Sequence, residues 1–304
     1  MTSQTINAAA SGTWKLGGDL EINRIGFGTM RLPQTGAALS ADAVPRDRGE
    51  AIGVLRRAVE LGVNHIDTAA FYFSPLRSAN ELINRALAPY PDDLVIATKV
   101  GPCRDASGQW AAHARTPEQL RGQVEENLRQ LGRDHLDVVN LRVVGTDSIA
   151  ERFGALAELR DAGLIRHLGV SNVTPEHLAE AQAIAPVVCV QNMYGIGVRP
   201  EHDEFVRSCG EQGVAFVPFY AVAGAGREAG ASGADSEEVL AVARAHGVSV
   251  AQVRLAWTLH RGPHVLAIPG TGNPDHLVAN VAAGALRLSE DELAALDRLH
   301  QDGA

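Results

Sequence analysis

The sequence repeats one pattern eight times: a short run rich in β-branched residues is followed by an amphipathic segment. The runs are almost continuously apolar instead of alternating with polar residues, as expected of parallel strands that are covered on both faces. Eight strands that alternate with helices over about 300 residues predict an α/β protein with a (β/α)8 TIM barrel. The predicted strands are 24–27, 63–66, 94–98, 136–141, 166–170, 187–190, 214–217 and 265–268.

A doubly wound open sheet is the alternative fold, and it usually carries a phosphate-binding GxGxxG motif. The nearest candidates, 26–28 and 224–226, both lack a glycine three residues after their second glycine. A P-loop is missing as well. The sequence therefore favours the barrel.

Helix starts are predicted from residues whose side-chain oxygens can accept hydrogen bonds from the first helical N–H groups. Thr116, Pro117 and Gln119 form such a start, and Gly132 ends the same helix. The other predicted starts are Ser78 with Glu81, Ser148 with Glu151, Thr174 with Pro175, Ser249 with Gln252, Asn273 with Pro274 and Ser289 with Glu292.

Composition excludes several classes of protein. With 36 acidic against 27 basic residues and no Lys/Arg run, the chain lacks the charge pattern of a nucleic-acid binder. The longest nearly uncharged apolar stretch, 213–226, is shorter than the roughly 18 residues of a membrane span. The expected partner is a small molecule, and no obligate protein partner is evident.

The three cysteines include no CxxC pair, so they indicate neither a disulfide framework nor a zinc site, and we expect no metal. This cysteine usage favours a cytoplasmic protein. The first residues lack the pattern of a signal peptide. We expect a loose leader over 1–20 and a single barrel domain over 21–304.

Chemically active side chains follow the predicted strands directly, at the end of a barrel where active sites form. Asp67 follows the second strand, Lys99 the third and Arg142 the fourth. An aspartate and a lysine that abut such apolar strands suggest an ion pair. Either it serves catalysis or it is a buried structural salt bridge.

Tyr72 comes five residues after Asp67. A phenol has an ordinary pKa near 10, and a nearby ammonium such as that of Lys99 makes it a better proton donor. Asp67, Lys99 and Tyr72 thus form a candidate relay that protonates a carbonyl oxygen as hydride arrives. The alternative is that Tyr72 is only an aromatic wall of the pocket.

Over nearly its whole length the sequence resembles the aldo-keto reductase superfamily. The matching motifs are 25–30 (IGFGTM), 64–69 (NHIDTA) with Tyr72, 97–99 (ATK), 163–172 (GLIRHLGVSN), 190–192 (VQN) and 268–271 (IPGT). The segments 45–48 and 136–142 are similar to a bacterial subgroup that includes an NADPH-dependent pyridoxal reductase.

The resemblance implies an NAD(P)H-dependent oxidoreductase that reduces an aldehyde or ketone to an alcohol. It implies that Tyr72 is the general acid, tuned by Lys99 and Asp67. The implied cofactor-binding residues are Ser171, Asn172 and Gln191 at the carboxamide, Phe219 stacked on the nicotinamide, and Gly270, Thr271, His276 and Asn280. The stretch 223–233 corresponds to the loop over the pyrophosphate, or else is a disordered surface loop.

Three departures from the family are visible. Arg142 stands where most members place a catalytic histidine, and it either contacts the substrate or pairs with a carboxylate. Gly270 and His276 stand where a lysine and an arginine commonly bind the 2′-phosphate of NADP, so NADPH is expected with NADH as an alternative.

The third departure is an apolar, aromatic pocket mouth. We expect Phe71, Trp110 and Tyr220 in it, with His113 as a further candidate that could replace the missing histidine. The substrate is then pyridoxal-like or a larger apolar carbonyl compound. A cofactor-sensing regulatory protein and a specialised biosynthetic ketoreductase remain alternatives, while oligomeric state and reaction direction stay open.

Overall fold

The computed structural model describes residues 6–36, 39–40, 42–222 and 235–302. Its strands are β1 (Thr13–Leu16), β2 (Leu20–Asn23), β3 (Phe27–Gly28), β4 (Gln34–Thr35), β5 (Val44–Pro45), β6 (His65–Asp67), β7 (Phe73–Ser74), β8 (Arg77–Ser78), β9 (Val95–Val100), β10 (Cys103–Arg104), β11 (Trp110–Ala111), β12 (Leu136–Arg142), β13 (Ile165–Ser171), β14 (Val187–Gln191) and β15 (Ala215–Phe216).

The α-helices are α1 (Arg48–Glu60), α2 (Ala79–Leu87), α3 (Pro117–Leu131), α4 (Ala150–Asp161), α5 (Pro175–Gln182), α6 (Asp203–Glu211), α7 (Glu237–His246), α8 (Val250–His260), α9 (Pro274–Ala282) and α10 (Glu290–Gln301). Three short 3-10 helices cover Ala8–Ser11, Pro200–His202 and Ala283–Ala285.

Seven parallel strands form one sheet in the order β15-β14-β13-β12-β9-β6-β3. The eighth predicted strand is not a regular strand, but it joins the two edges of this sheet. The Ala267 N–H donates to the Arg24 carbonyl at 2.8 Å, and the Leu266 N–H donates to the Phe216 carbonyl at 2.9 Å. These bonds close the ring, so the predicted (β/α)8 barrel is confirmed.

The expectation of a loose leader over 1–20 is wrong for the residues described there. The antiparallel hairpin β1-β2 places Leu16 and Ile22 in one buried apolar cluster with Val95 and Val138 of the barrel strands. The missed signal is the alternation of large apolar residues on both sides of Gly17 and Gly18, which both adopt positive φ. The hairpin contributes to the apolar core inside the barrel.

The helix starts follow the sequence with one exception. Side-chain caps are present at Ser78, Thr116, Thr174, Ser249, Asn273 and Ser289. Ser148 does not form the predicted capping box with Glu151, so that prediction is wrong, although the Ser148 Oγ accepts the Ala150 N–H at 3.3 Å. Its hydroxyl donates to Glu180, whose other carboxylate oxygen accepts the Ile149 N–H at 2.8 Å. A carboxylate from a neighbouring helix thus takes the place of the capping box at α4.

None of the helices in the described part of the chain is both long and apolar enough to cross a lipid bilayer.

Candidate active site

A cavity of about 260 Å3 lies where the barrel strands end and their loops begin. Aromatic and apolar side chains form much of its wall, as is usual for small-molecule sites. It brings together many of the predicted site residues. Those that line it are Asp67, Phe71, Tyr72, Lys99, Trp110, Arg142, Gln191, Phe219, Tyr220, Gly270 and Asn280.

A buried ion pair lies at the base of this cavity. Lys99 Nζ is 2.6 Å from Asp67 Oδ1 and donates a second bond to the Thr68 carbonyl at 3.0 Å. The other carboxylate oxygen of Asp67 accepts a bond from Gln191 Nε2 at 2.8 Å. Lys99 and Asp67 are each only 3% exposed, so both charges depend on these contacts for compensation.

Lys99 also faces the candidate proton donor, since its Nζ lies 4.9 Å from the centre of the Tyr72 ring. Burial lowers the pKa of Lys99, but the Asp67 carboxylate and the Tyr72 hydroxyl outweigh that effect and hold the pKa above its ordinary value. The ammonium is therefore charged at neutral pH. Its position beside the phenol is the one that the sequence predicted.

The loop after β6 holds Tyr72 in place through its backbone. The Tyr72 N–H donates to the Ala69 carbonyl at 3.0 Å, and the Tyr72 carbonyl accepts from the Ala79 N–H at 2.8 Å. Phe71 packs edge-on against the Tyr72 ring with 5.1 Å between ring centres. The Tyr72 ring is thus buried between the aromatic wall and the ammonium.

Gln191 carries an unused hydrogen-bond acceptor. Because its Nε2 donates to the Asp67 carboxylate, its Oε1 is the free end of the amide. That oxygen is buried and has no hydrogen-bond partner among the described residues. A buried acceptor that lines a cavity is a natural partner for a ligand N–H.

Arg142 is a half-buried cation in the cavity wall. Its Nη1 donates to Ser171 Oγ at 3.0 Å, and its guanidinium lies 4.6 Å from the centre of the Phe219 ring. No carboxylate of the described chain lies within ion-pair distance of it. Of the two alternatives for Arg142, the geometry therefore favours contact with a ligand over pairing with a carboxylate.

The mouth of the cavity is aromatic, as predicted. Phe71 and Trp110 lie 6.0 Å apart between ring centres, and Trp110 is 53% exposed. Arg104, which the sequence analysis missed, joins the two loops that carry them. It donates to the Phe71 and Phe73 carbonyls at 3.1 and 2.8 Å and lies 5.9 Å from the Trp110 ring centre.

Several predicted site residues lie outside the cavity wall. Ser171 is fully buried behind Arg142. Asn172 is exposed, and its side-chain amide donates to the Val143 carbonyl at 2.9 Å. His113 does not line the cavity, so the structure does not place it where the missing histidine would act. The predicted pyrophosphate loop, 223–233, lies outside the described residues.

The predicted phosphate-binding segment begins after the closing strand. Thr271 Oγ1 accepts the Asn273 N–H at 3.0 Å, and His276 is exposed in the first turn of α9. Arg46 reaches the same segment, with its Nη1 3.5 Å from the Gly272 carbonyl oxygen. Arg46 belongs to segment 45–48, which is similar to the bacterial subgroup. Nothing in the sequence shows that the loop of Arg46 folds against the eighth predicted strand.

Comparisons with known proteins agree with this geometry. The model of the Aldo/keto reductase family matches residues 24–301. The chain belongs to the aldo/keto reductase family. This confirms the resemblance and the enzyme class, an NAD(P)H-dependent oxidoreductase that acts on carbonyl compounds.

Two relatives are similar over almost the whole chain. Pyridoxine 4-dehydrogenase of Escherichia coli is 43% identical over 96% of this chain and 100% of its own. An uncharacterized oxidoreductase of Schizosaccharomyces pombe is 37% identical over 97% and 92%. An aldo-keto reductase of Klebsiella pneumoniae, solved in complex with NADPH, superimposes with a TM-score of 0.78 at 28% identity over 95% of this chain and 94% of its own.

The side chains of the cavity fit a nicotinamide cofactor. A nicotinamide carries a carboxamide, whose N–H groups suit the unpartnered Gln191 Oε1. Its flat ring suits the aromatic face of Phe219, which lines the same cavity. The described residues contain no group of three or more His, Cys, Asp or Glu side chains that could hold a metal ion.

A double-mutant cycle tests whether the Lys99–Asp67 pair acts as one buried unit. We expect Asp67→Asn and Lys99→Met each to lower the free energy of unfolding by about 3–5 kcal/mol, because each leaves a buried charge unpaired. The double variant should lose clearly less than the sum, as measured by urea denaturation. Strictly additive losses would contradict a coupled pair.

The same measurements have a defined pH dependence. Because the pKa of Lys99 is raised on folding, its contribution is fully present below the unfolded value of about 10.5. It is lost as the pH rises through the higher folded-state value. The double variant should therefore lack this alkaline loss of stability, while the wild type shows it.

Proposed function

We propose that this enzyme reduces an aromatic aldehyde of the pyridoxal type to the alcohol, with NADPH as the hydride donor and Tyr72 as the proton donor. The observation that carries the proposal is the buried set of Asp67, Lys99 and Tyr72 at the base of a cavity with an aromatic mouth. The bound cofactor supplies a hydride to the carbonyl carbon. The carbonyl oxygen then needs one proton to complete the alcohol.

Tyr72 supplies that proton from its hydroxyl. The phenolate that remains is stabilised by the Lys99 ammonium, which the Asp67 carboxylate holds at 2.6 Å. Because Tyr72 and the ion pair are almost fully buried, water weakens these electrostatic interactions little. A proton from solvent later restores the phenol.

Side chains around the ion pair would orient the nicotinamide. Gln191 Oε1 would accept a bond from the carboxamide, and Ser171 at the end of β13 would support the site from behind by accepting the Arg142 bond. Phe219 would support one face of the ring. The ion pair fixes the Gln191 amide, so the proton donor and the cofactor share one rigid frame.

NADPH is the proposed donor in preference to NADH. Gly270, Thr271, His276 and Asn280 form the cofactor segment after strand eight, and Arg46 adds a cation against Gly272. The NADPH complex of the Klebsiella relative supports this choice. Asp275 stands in the first turn of α9 and opposes a phosphate, so we expect modest discrimination between the two cofactors.

The substrate class follows from the mouth and from the relative that oxidises pyridoxine. Phe71, Trp110 and Tyr220 offer flat surfaces to an aromatic ring. Pyridoxal carries an ionisable phenolic hydroxyl next to its aldehyde. Arg142 is the cation that can bind the oxygen of this hydroxyl and orient the carbonyl. A larger apolar carbonyl compound would use the same aromatic surfaces without this charge contact.

The proposal includes a cytoplasmic enzyme whose partner is a small molecule. The three cysteines support it, since Cys103, Cys189 and Cys209 are all free thiols. No step of the proposed reaction needs a protein partner.

Replacing Tyr72 with Phe tests the proton donor. We expect Tyr72→Phe to lower kcat for pyridoxal at least hundredfold, since a positioned general acid contributes about that much or more. NADPH affinity, measured by fluorescence titration, should change less than about twofold because the ring is kept. Tyr90→Phe is the matched control, because the Tyr90 hydroxyl bonds the Leu131 carbonyl outside the cavity.

Full turnover by Tyr72→Phe would refute this role. A wild-type protein that binds NADPH tightly but reduces no carbonyl compound would instead favour the cofactor-sensing alternative.

Replacing Arg142 tests the substrate contact. We expect Arg142→Met to lower kcat/KM for pyridoxal by roughly tenfold to hundredfold, the usual cost of losing a charge-assisted hydrogen bond. The loss for benzaldehyde, which lacks the phenolic hydroxyl, should be several times smaller. Arg142→Lys keeps the charge and should recover part of the pyridoxal activity. Equal losses for both aldehydes would contradict selection by charge.

A further inference from the structure

A second cavity of about 220 Å3 lies at the opposite end of the barrel from the active site. Arg24 comes just before β3, and His260 ends α8 just before the closing segment, so both lie at the strand beginnings. Arg287 joins them from the connection between α9 and α10. The two cavities share no lining residue.

Among the described residues, the titratable side chains that line this second cavity are all basic. They are Arg24, His260 and Arg287, and no described carboxylate lines the cavity with them. Within the described part of the chain, neither arginine has an ion-pair partner. In a protein with nine more acidic than basic residues, such a concentration of uncompensated positive charge indicates a site for an anion.

The two guanidinium groups are held in place by backbone carbonyls. Arg24 donates to four carbonyls, those of Val265, Ser11, Leu259 and Gly262, at 3.1, 3.3, 2.5 and 2.6 Å. Arg287 donates to the Gly284 carbonyl at 2.8 Å and to the Ala10 carbonyl at 3.2 Å. Carbonyl dipoles orient the guanidinium groups but leave their formal charge in place. Of the five N–H groups of each guanidinium, one of Arg24 and two of Arg287 are left for a further acceptor.

The basic groups are close enough to affect one another. Burial and the charge of Arg287 lower the pKa of Arg24 to about 10. Burial and the two arginines also lower the pKa of His260. This mutual repulsion is a cost of folding that a bound anion would relieve.

We propose that this cavity binds the phosphate group of a small phosphorylated molecule, with Arg24 and Arg287 as its ligands and His260 at the rim. A dianion matches two guanidinium charges: Arg287 has two N–H groups left for bidentate recognition of phosphate oxygens, and Arg24 adds a single N–H from the buried side of the cavity. The cavity exceeds the size of free phosphate, so it has room for an organic part. Because this end of the barrel lies away from the active site, a phosphate bound here would affect the stability or the regulation of the enzyme and not the reaction itself.

Calorimetric titration of the NADP-saturated enzyme tests this site, because the bound cofactor occupies the phosphate sites of the active site. The probes are inorganic phosphate and glycerol 3-phosphate at constant ionic strength, with acetate as the carboxylate control. We expect binding that Arg287→Gln weakens at least tenfold, the effect of losing a charged phosphate contact. Arg121→Gln, an exposed charge change on α3, is the matched control and should bind as the wild type does.

A second measurement uses only the wild-type protein, so it does not depend on whether a variant folds. In the wild type, the ring signals of His260 in NMR spectra should report a higher pKa when phosphate is present, since the anion favours the charged ring. Tighter binding of glycerol 3-phosphate assigns the site to organic phosphates, and equal binding assigns it to free phosphate.

Three results would overturn the proposal. They are the absence of phosphate binding, equal affinities in the wild type and Arg287→Gln, and binding of acetate as tightly as phosphate. Because all titrations use the saturated enzyme and read binding directly, failure of the proposed carbonyl reduction would leave this outcome unaffected.

Discussion

The ion pair between Lys99 and Asp67 is the interaction on which the rest of the site depends. Two charges inside an apolar barrel are costly unless each is fully compensated, and here Thr68 and Gln191 supply the remaining hydrogen bonds. The pair in turn fixes what surrounds it. It holds an ammonium beside Tyr72 and sets the direction of the Gln191 amide. One buried contact therefore positions both Tyr72, the proposed proton donor, and Gln191, the proposed carboxamide ligand.

Around this centre, Arg142 at the end of β12 and Trp110 of β11 contribute to the cavity wall. Arg142 is always charged, so it offers hydrogen bonds without the proton exchange that a histidine provides. Its guanidinium contacts Ser171 and Phe219, while Trp110 belongs to a separate hairpin. Under the proposed function, the substrate is selected by side chains that the proton donor does not need, so selectivity can change without disturbing the ion pair.

The sequence predicted what local chemistry determines: the number and order of strands, most helix starts, and the residues at strand ends. The sequence did not predict features that depend on contacts with distant parts of the chain. The hairpin around Leu16 is ordered because barrel residues cover it, and Glu180 replaces the cap expected at Ser148. Arg46 reaches Gly272 across more than two hundred residues, a contact that no local pattern shows.

The most direct test of the account is a crystal structure of the protein with NADP and acetate, where the acetate oxygens represent the carbonyl oxygen of a substrate. We expect the carboxamide to donate to Gln191 Oε1 and one acetate oxygen to accept a hydrogen bond from the Tyr72 hydroxyl, with Lys99 still paired to Asp67. A nicotinamide bound away from Gln191, or a Tyr72 hydroxyl turned away from both acetate and Lys99, would contradict it.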